Sequence, residues 1–384
     1  MTSYDRSPAV IRKLLGVICI FLLGGILTAG LWPFHSPRNQ VWWLAGGQGL
    51  QFGRHGTILS SRAFPAAPKQ ANAPCSVEIW LEPSPATTGG TVLAFYAREA
   101  PRRFSIYQYY TGLVFQSRLQ GEYQRDRTTA FYVHGIFRQG KQAFITIASD
   151  GEQTSVYVDG ILAKHALSFP LSSQDLAGQL VIADSPTNAD SWSGVLRGLA
   201  LFSQDLTPAQ VLHHYETWTK DGRPDISKGD RALALYLLDE SEGKLVHNQI
   251  PSGVDLYIPE RFVVVDQYFL EPFWKEYKPT WSYCEDFLIN IAGFFPLGFM
   301  FCAYLSVAGK VKRPALLTLL LGFAVSLTIE VTQAYLPTRA SGMTDVFTNT
   351  SGTGLGIWLY RLVSRQGLLA KLWAYLPGWL WTKV

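Results

Sequence analysis

The chain has 384 residues, of which 48% are hydrophobic and 16% charged, below the ~25% charge of an ordinary soluble domain. That composition excludes a disordered chain and points to membrane-embedded segments. With 33 Lys and Arg against 29 Asp and Glu the net charge is +4, so no global field draws a nucleic acid partner.

The first element is an uncharged run, Leu14 to Trp32, preceded by Arg6, Arg12 and Lys13. Its length approaches the ~20 residues a spanning helix needs. Thr28-Ala29-Gly30 is a weak cleavage site, but the apolar core is longer than a signal peptide requires. Residues 14–32 therefore read as an uncleaved anchor behind a cytoplasmic segment 1–13.

From Pro33 to about Thr280 no apolar run is long enough to span, and the stretch reads as a water-facing domain. Period-two alternation over Gly49–Phe52, Thr57–Leu59, Ser76–Leu81, Thr91–Tyr96 and Phe104–Tyr107 predicts strands. Phe144–Ala148 and Ser155–Gly160 read as a hairpin with Asp-Gly turn chemistry, and Gln179–Ala183 and Leu196–Phe202 add two strands. A short helix follows: Thr207 caps it, Pro208 fits its first turn, and Val211, Leu212 and Tyr215 supply an apolar face. Many strands with one small helix predict an all-β two-sheet jelly-roll sandwich.

The run through Tyr157-Val158-Asp159-Gly160, then Gly194-Val195-Leu196-Arg197-Gly198-Leu199-Ala200-Leu201-Phe202 and Leu206-Thr207-Pro208-Ala209, resembles the closing half of a laminin-G-like, concanavalin-type jelly roll over about 40–259. The resemblance implies a domain that binds glycans or proteins and sometimes calcium. Asp150, Asp159, Asp184 and Asp190 are the candidate calcium oxygens, and Tyr109, Tyr110 and Trp192 the candidate sugar-stacking aromatics. The competing reading makes the acids hairpin-turn residues and the aromatics sandwich core or rim. His213 and His214 are adjacent, point apart on a helix, and read as surface and capping residues.

Residues 260–285 read as an interfacial linker, aromatic from Trp274 onward. Three more apolar segments follow: Phe287–Val307, Ala315–Leu336 and Val346–Val363, giving four predicted spans and an α-helical bundle over 286–363. Basic clusters at Arg6, Arg12 and Lys13, at Lys310, Lys312 and Arg313, and at Arg361, Arg365 and Lys371 all agree with cytoplasmic termini and an outer large domain. The tail 364–384 carries Trp373, Tyr375, Trp379 and Trp381 beside Lys371 and reads as a cytoplasmic amphipathic segment. Cys19 and Cys302 fall in spans. For Cys75 and Cys284 a bridge is one alternative, and two free, buried thiols are the favoured one.

Polar residues inside the apolar segments come in helical register. Asp286 and Asn290 open the second span, Ser326, Glu330 and Gln333 close the third, and Asp345, Asn349, Gly352 and Gly356 open the fourth. Arg339, in the loop between the last two, is placed to neutralise Glu330 or Asp345 or to bind an anionic headgroup. Gly352 and Gly356 permit close helix approach. The bland reading makes these groups interhelical glue; the functional one is a polar pocket opening outward.

Asp286 with Asn290-Ile291 and Pro296-Leu297-Gly298, Ser326 with Ile329-Glu330 and Gln333, and Arg339 with Asp345, Asn349 and Gly352 resemble the VanZ-like family over about Tyr283–Leu362. The resemblance implies a bacterial cytoplasmic-membrane location and a link to glycopeptide (teicoplanin) resistance. Three functions stand open. The first is an envelope protein binding a glycan or protein through the jelly roll and a lipid or lipid-linked precursor through the bundle. The second is a membrane enzyme using Glu330 or Asp345 as base and Arg339 for phosphate. The third is a scaffold recruiting an envelope partner. The spans contain no histidine and no familiar soluble catalytic motif is present, which leans against the enzyme.

Overall fold

The computed structural model describes residues 8–66, 72–85, 88–98, 100–118, 128–137, 141–277 and 280–365. Arg6, Lys371 and the aromatic tail lie outside the described residues. The chain divides into two compact units, Ser36–Gln267 and a helical unit made of Met1–His35 with Tyr268–Val384.

The first unit is built from strands β1 (Val41–Trp43), β2 (Leu50–Phe52), β3 (Ile58–Ser60), β4 (Cys75–Pro83), β5 (Gly89–Ala97) and β6 (Ala100–Tyr109). Next come β7 (Gly112–Arg118), β8 (Thr128–Val133), β9 (Ala143–Ser149), β10 (Thr154–Val158), β11 (Ile161–Ala166), β12 (Gln179–Ile182) and β13 (Gly194–Phe202). They form two antiparallel sheets. One runs β1-β2-β13-β4-β9-β10-β11, with β14 (Ala232–Tyr236) also pairing β13. The other runs β15 (Leu245–Val246), β16 (Leu256–Tyr257), then β3-β12-β5-β6-β7-β8. The fold is the predicted jelly-roll sandwich.

Alternation explains the core. Val77, Ile79 and Leu81 of β4 join Leu50, Phe52, Phe95, Phe104, Ile106 and Phe115 between the sheets. Each such side chain contributes roughly 1.5–3 kcal/mol on burial. The alternate residues Glu78 and Trp80 are buried too, because a helix covers the other face of that sheet. That helix, α2 (Pro208–Asp221, with Pro8–Leu31 as α1), starts at a capping box in which the Thr207 hydroxyl accepts from the Gln210 N–H. Its buried stripe is Val211, His214 and Trp218, at helical spacing, rather than the expected Val211, Leu212 and Tyr215; Leu212 points to solvent at 43% exposure. The segment read as a linker begins inside this unit, where Phe262 is fully buried beside His55.

The helical unit contains α1, α3 (Phe273–Glu276), α4 (Trp281–Ala308), α5 (Pro314–Gln333) and α6 (Met343–Arg365). Its apolar contacts form two tiers. Leu15, Cys302, Ala315, Ile357 and Tyr360 make one, and Phe294, Leu297, Val325 and Ile329 with Leu23 and Leu27 make the other. The first tier lies toward the basic ends of all four long helices. Among the described residues three helices are long and apolar enough to cross a membrane, Val10–Leu31, Tyr283–Ala308 and Pro314–Gln333. The fourth expected span, α6, has the length but not the composition, because Thr344, Asp345, Thr348, Asn349, Thr350, Ser351 and Thr353 crowd its first half. Thr348, Thr350, Ser351 and Thr353 return their hydroxyls to carbonyls one turn back, which masks that polarity. The helix still packs tightly. A side chain at Gly352 would run into the Ile291 carbonyl, and one at Gly298 into the backbone of Thr353.

Candidate functional site

On the sandwich, the second sheet carries a cavity of about 200 Å³ lined by Thr91, Ala94, Ser105, Tyr107, Gln116, Ser185, Pro186 and Asp190. Sheet register assembles it. Ala94, Ser105 and Gln116 are direct cross-strand partners on β5, β6 and β7, and alternation turns them away from the Phe95, Phe104 and Phe115 core. The loop between β12 and β13 closes one side, where Asp190 Oδ2 accepts from the Thr91 hydroxyl at 3.2 Å. Tyr109 lies two residues beyond Tyr107 on the same strand, and Tyr109 and Tyr110 are 51% and 60% exposed with ring centroids 4.8 Å apart. Tyr132 adds a third ring 6.1 Å from Tyr109.

Trp192 does not join this surface. It is 1% exposed, its indole N–H donates to Gln108 Oε1 at 2.6 Å, and its ring packs near Phe52, so it belongs to the core. The four acids do not converge. Asp150 accepts the N–H groups of Glu152 and Gln153 in its own turn, and Asp159 accepts the N–H of Phe144. Asp184 and Asp190 are neighbours: Asp184 Oδ1 accepts the Asp190 N–H and the Ser191 hydroxyl, while burial pushes its carboxyl up to about 8. Among the described residues no three His, Cys, Asp or Glu side chains are grouped to hold a metal ion. The cysteines are free, Cys75 buried but Cys284 exposed, contrary to the expectation of two buried thiols.

His213 is exposed as expected, near Asp225 at 3.0 Å, but His214 is 1% exposed and is a core residue. Its Nδ1 lies 3.2 Å from both oxygens of buried Glu78, and its Nε2 3.7 Å from Asp230. Burial works against the imidazolium, yet the hydrogen bond and charge of Glu78, with Asp230, outweigh it and raise the His214 pKa. Sequence reasoning missed this cluster because its three members are separated along the chain and only burial makes them partners.

In the helical unit, the end away from the basic loops gathers polar side chains. Asn290 on α4 donates to Asp345 Oδ1 at 2.7 Å, and Asn349 Nδ2 donates to Ser326 Oγ at 3.0 Å. Glu330 is 2% exposed and accepts the Gly342 N–H at 2.9 Å. Asp286 is exposed at the helix entrance. Gln333 and Arg339 face the anchor: Gln333 donates to the Gly30 carbonyl at 2.7 Å, and the Arg339 guanidinium to the carbonyls of Ala29 and Trp32. The Arg339 guanidinium thus caps the carboxyl end of α1. Glu276, read only as part of a linker, joins the layer by accepting the Thr344 N–H and hydroxyl.

Comparisons with known proteins match both halves. The VanZ/LLP1 family profile matches residues 238–364, and that of the concanavalin A-like lectin/glucanases superfamily matches residues 59–212. The chain is a membrane protein with a jelly-roll β-sandwich. No curated protein matches it. Among solved structures, a heptameric SAP-like pentraxin from Limulus polyphemus is similar at 13% identity, over 58% of this chain and 95% of its own, with a TM-score of 0.35. A putative carbohydrate binding protein from Bacteroides ovatus is similar at 11% identity, over 57% of this chain and 61% of its own, with a TM-score of 0.37. The Ruminococcus gnavus IT-sialidase CBM40 bound to sialyllactose is similar at 12% identity, over 43% of this chain and 95% of its own, with a TM-score of 0.31. Likeness at that level carries no argument about ligand.

Proposed function

We propose that this membrane protein is a cell-envelope binding protein whose sandwich holds an extracytoplasmic glycan and whose helical unit holds a lipid or lipid-linked headgroup. The observation that carries the glycan half is the cavity on the second sheet. Hydroxyls of Thr91, Ser105, Tyr107 and Ser185, the Gln116 amide and the Asp190 carboxylate offer both donors and acceptors, which is what vicinal sugar hydroxyls need. Tyr109 and Tyr110, beside it, supply exposed ring faces for stacking. The lectin-superfamily match points the same way.

The headgroup half rests on two bonded polar pairs, Asn290 with Asp345 and Ser326 with Asn349, and on the buried Glu330 carboxyl, in a largely apolar unit. Arg12, Lys13, Lys310, Lys312, Arg313, Arg361 and Arg365 collect at the opposite end, which supports a cytoplasmic position for that end and an outer position for the layer. The VanZ-like resemblance adds teicoplanin resistance as a phenotype to measure.

The test is glycan binding by the full-length protein in lipid nanodiscs, first on a glycan array and then by calorimetry with the best ligand. Gln116→Ala and Tyr109→Ala should each weaken binding about tenfold, as loss of a central contact does. A wild type that binds no glycan, or equal affinity in both variants, refutes the glycan reading.

A further inference from the structure

We infer that the end of the helical unit away from the polar layer binds anionic phospholipid headgroups. This surface is separate from the headgroup site proposed above and does not depend on it.

Three stretches bring cations to that end. Arg12 and Lys13 lie in the first turns of α1, Lys310, Lys312 and Arg313 in the turn between α4 and α5, and Arg361 and Arg365 in the last turns of α6. Packing draws the three together. Ile11 and Leu15 of α1, Tyr304 of α4, Ala315 of α5 and Tyr360 of α6 belong to one apolar cluster, and Arg12, Arg313 and Arg361 are close neighbours of its members in sequence. A Cβ at Gly16 would lie 3.3 Å from the Tyr304 ring, so α1 runs directly against α4 at this level.

The charges have no local counterpart. All of these Lys and Arg side chains are exposed, and among the described residues none forms an ion pair or a side-chain hydrogen bond. Residues 6–32, 287–329 and 346–384 contain no Asp or Glu, which leaves Asp5 as the single acid near any of them in sequence. Cations gathered without acids draw anions from outside, and at a membrane surface each adds to the attraction for acidic lipid.

A second observation selects the kind of anion. Val17, Val307, Leu316, Leu317, Trp358 and Leu362 are exposed, and each is within about one helical turn of a cation in sequence. Charge and apolar surface therefore adjoin on α1, α4, α5 and α6. A soluble anion would meet the charges and leave those side chains in water. A zwitterionic phospholipid would cover them and bring no net charge to the cations. A phospholipid of net negative charge does both, with its phosphate on the Lys and Arg groups and its chains along the apolar side chains; the arginines offer paired N–H donors that match two phosphate oxygens.

The experiment uses the full chain in nanodiscs of phosphatidylglycerol and phosphatidylcholine in equal parts, with matched acyl chains, and reads the lipid left on the released protein by native mass spectrometry. Phosphatidylglycerol should be retained about tenfold over phosphatidylcholine. Equilibration in about 1 M salt, which screens charges beyond ~3 Å, should remove most of that preference. Arg361→Gln with Arg365→Gln, and Lys310→Gln with Lys312→Gln, should each lower it about fivefold, whereas Arg361→Lys with Arg365→Lys should keep most of it. Parity between the two lipids in the wild type at low salt overturns the inference, whether or not the variants fold. A preference that survives both Gln pairs and is lost in Arg339→Gln would put the anion at the opposite end and overturn it as well. Displacement of the lipid by glycerophosphoglycerol at equal concentration would replace the phospholipid with a soluble anion and overturn the class.

Discussion

Replacing His214 with Ala tests whether the helix on the back of the sandwich is fastened by a buried ion pair. The imidazole lies between Glu78 on β4 and Asp230 in the turn Lys228–Asp230, and stacks on Phe202 with centroids 5.6 Å apart. Glu78 is fully buried and retains only the Thr146 hydroxyl at 3.3 Å when the imidazole is gone, whereas Asp230 keeps Gln210 and the Ser227 N–H. Breaking one side of a buried pair costs about 3–5 kcal/mol, most of it the charge left behind. The assay is native-state hydrogen exchange of the α2 and β4 amides in the full-length protein, converted to opening free energies. Adding Glu78→Gln to the His214→Ala chain should recover part of that loss by removing the stranded charge. The pH dependence has a definite sign. Burial raises the Glu78 pKa and the carboxylates raise that of His214, so the folded state binds protons more tightly than the unfolded one. The His214 contribution is complete below its unfolded value of about 6.5 and is lost as pH rises through the higher folded value. Asp230 acts oppositely, its lowered pKa giving stability above about 3.9 that is lost on acidification. A His214→Ala cost under about 1 kcal/mol, with no recovery from Glu78→Gln, would refute an ionised pair and leave a neutral, packed cluster.

Other elements give sharper local tests. Thr207→Ala removes the α2 capping box and should cost about 1 kcal/mol in α2 protection. Gly352→Val drives a side chain into the Ile291 carbonyl, so the variant should lose the monodisperse folded fraction on size-exclusion in detergent. Asp184→Asn should flatten the part of the stability profile that falls between about pH 4 and 8, since the native carboxyl is raised to about 8 and its contribution is lost as pH rises through that value. Thermal unfolding of the two chains across that range checks it.

The sandwich was legible because its strands alternate against a dry core. Ser76–Leu81 and Leu196–Phe202 show that period, and β4 and β13 occupy those positions as direct partners. The two-residue strands β15 and β16 carry too little pattern to read, and β11 is exposed along most of its length. Where two layers bury a strand on both faces, the polar positions mislead. Glu78 reads as a solvent-facing residue of an alternating strand, yet α2 covers it and supplies His214 as partner. Leu212 was drawn to the helix core by type alone, while the histidine two residues later took the place.

The helical site shows the same limit in another form. Helical periodicity puts Ser326 and Glu330 on one face of their helix, because residues at three and four apart share a face whatever the tertiary structure, and both are buried, with Ser326 bonded to Asn349. What periodicity cannot supply is direction across a loop. Arg339 lies nine residues from Glu330 and six from Asp345, which made it their natural counter-charge on the page of the sequence. Nothing in that spacing shows that α1 ends alongside, with the carbonyls of Ala29 and Gly30 in its last turn and of Trp32 just beyond it open to side-chain donors. Those carbonyls take Gln333 and Arg339, and Glu276 arrives from an aromatic stretch that carries no periodic signal. The anchor thereby becomes part of the site's architecture, its carboxyl end taking side chains from α5 and from the loop before α6.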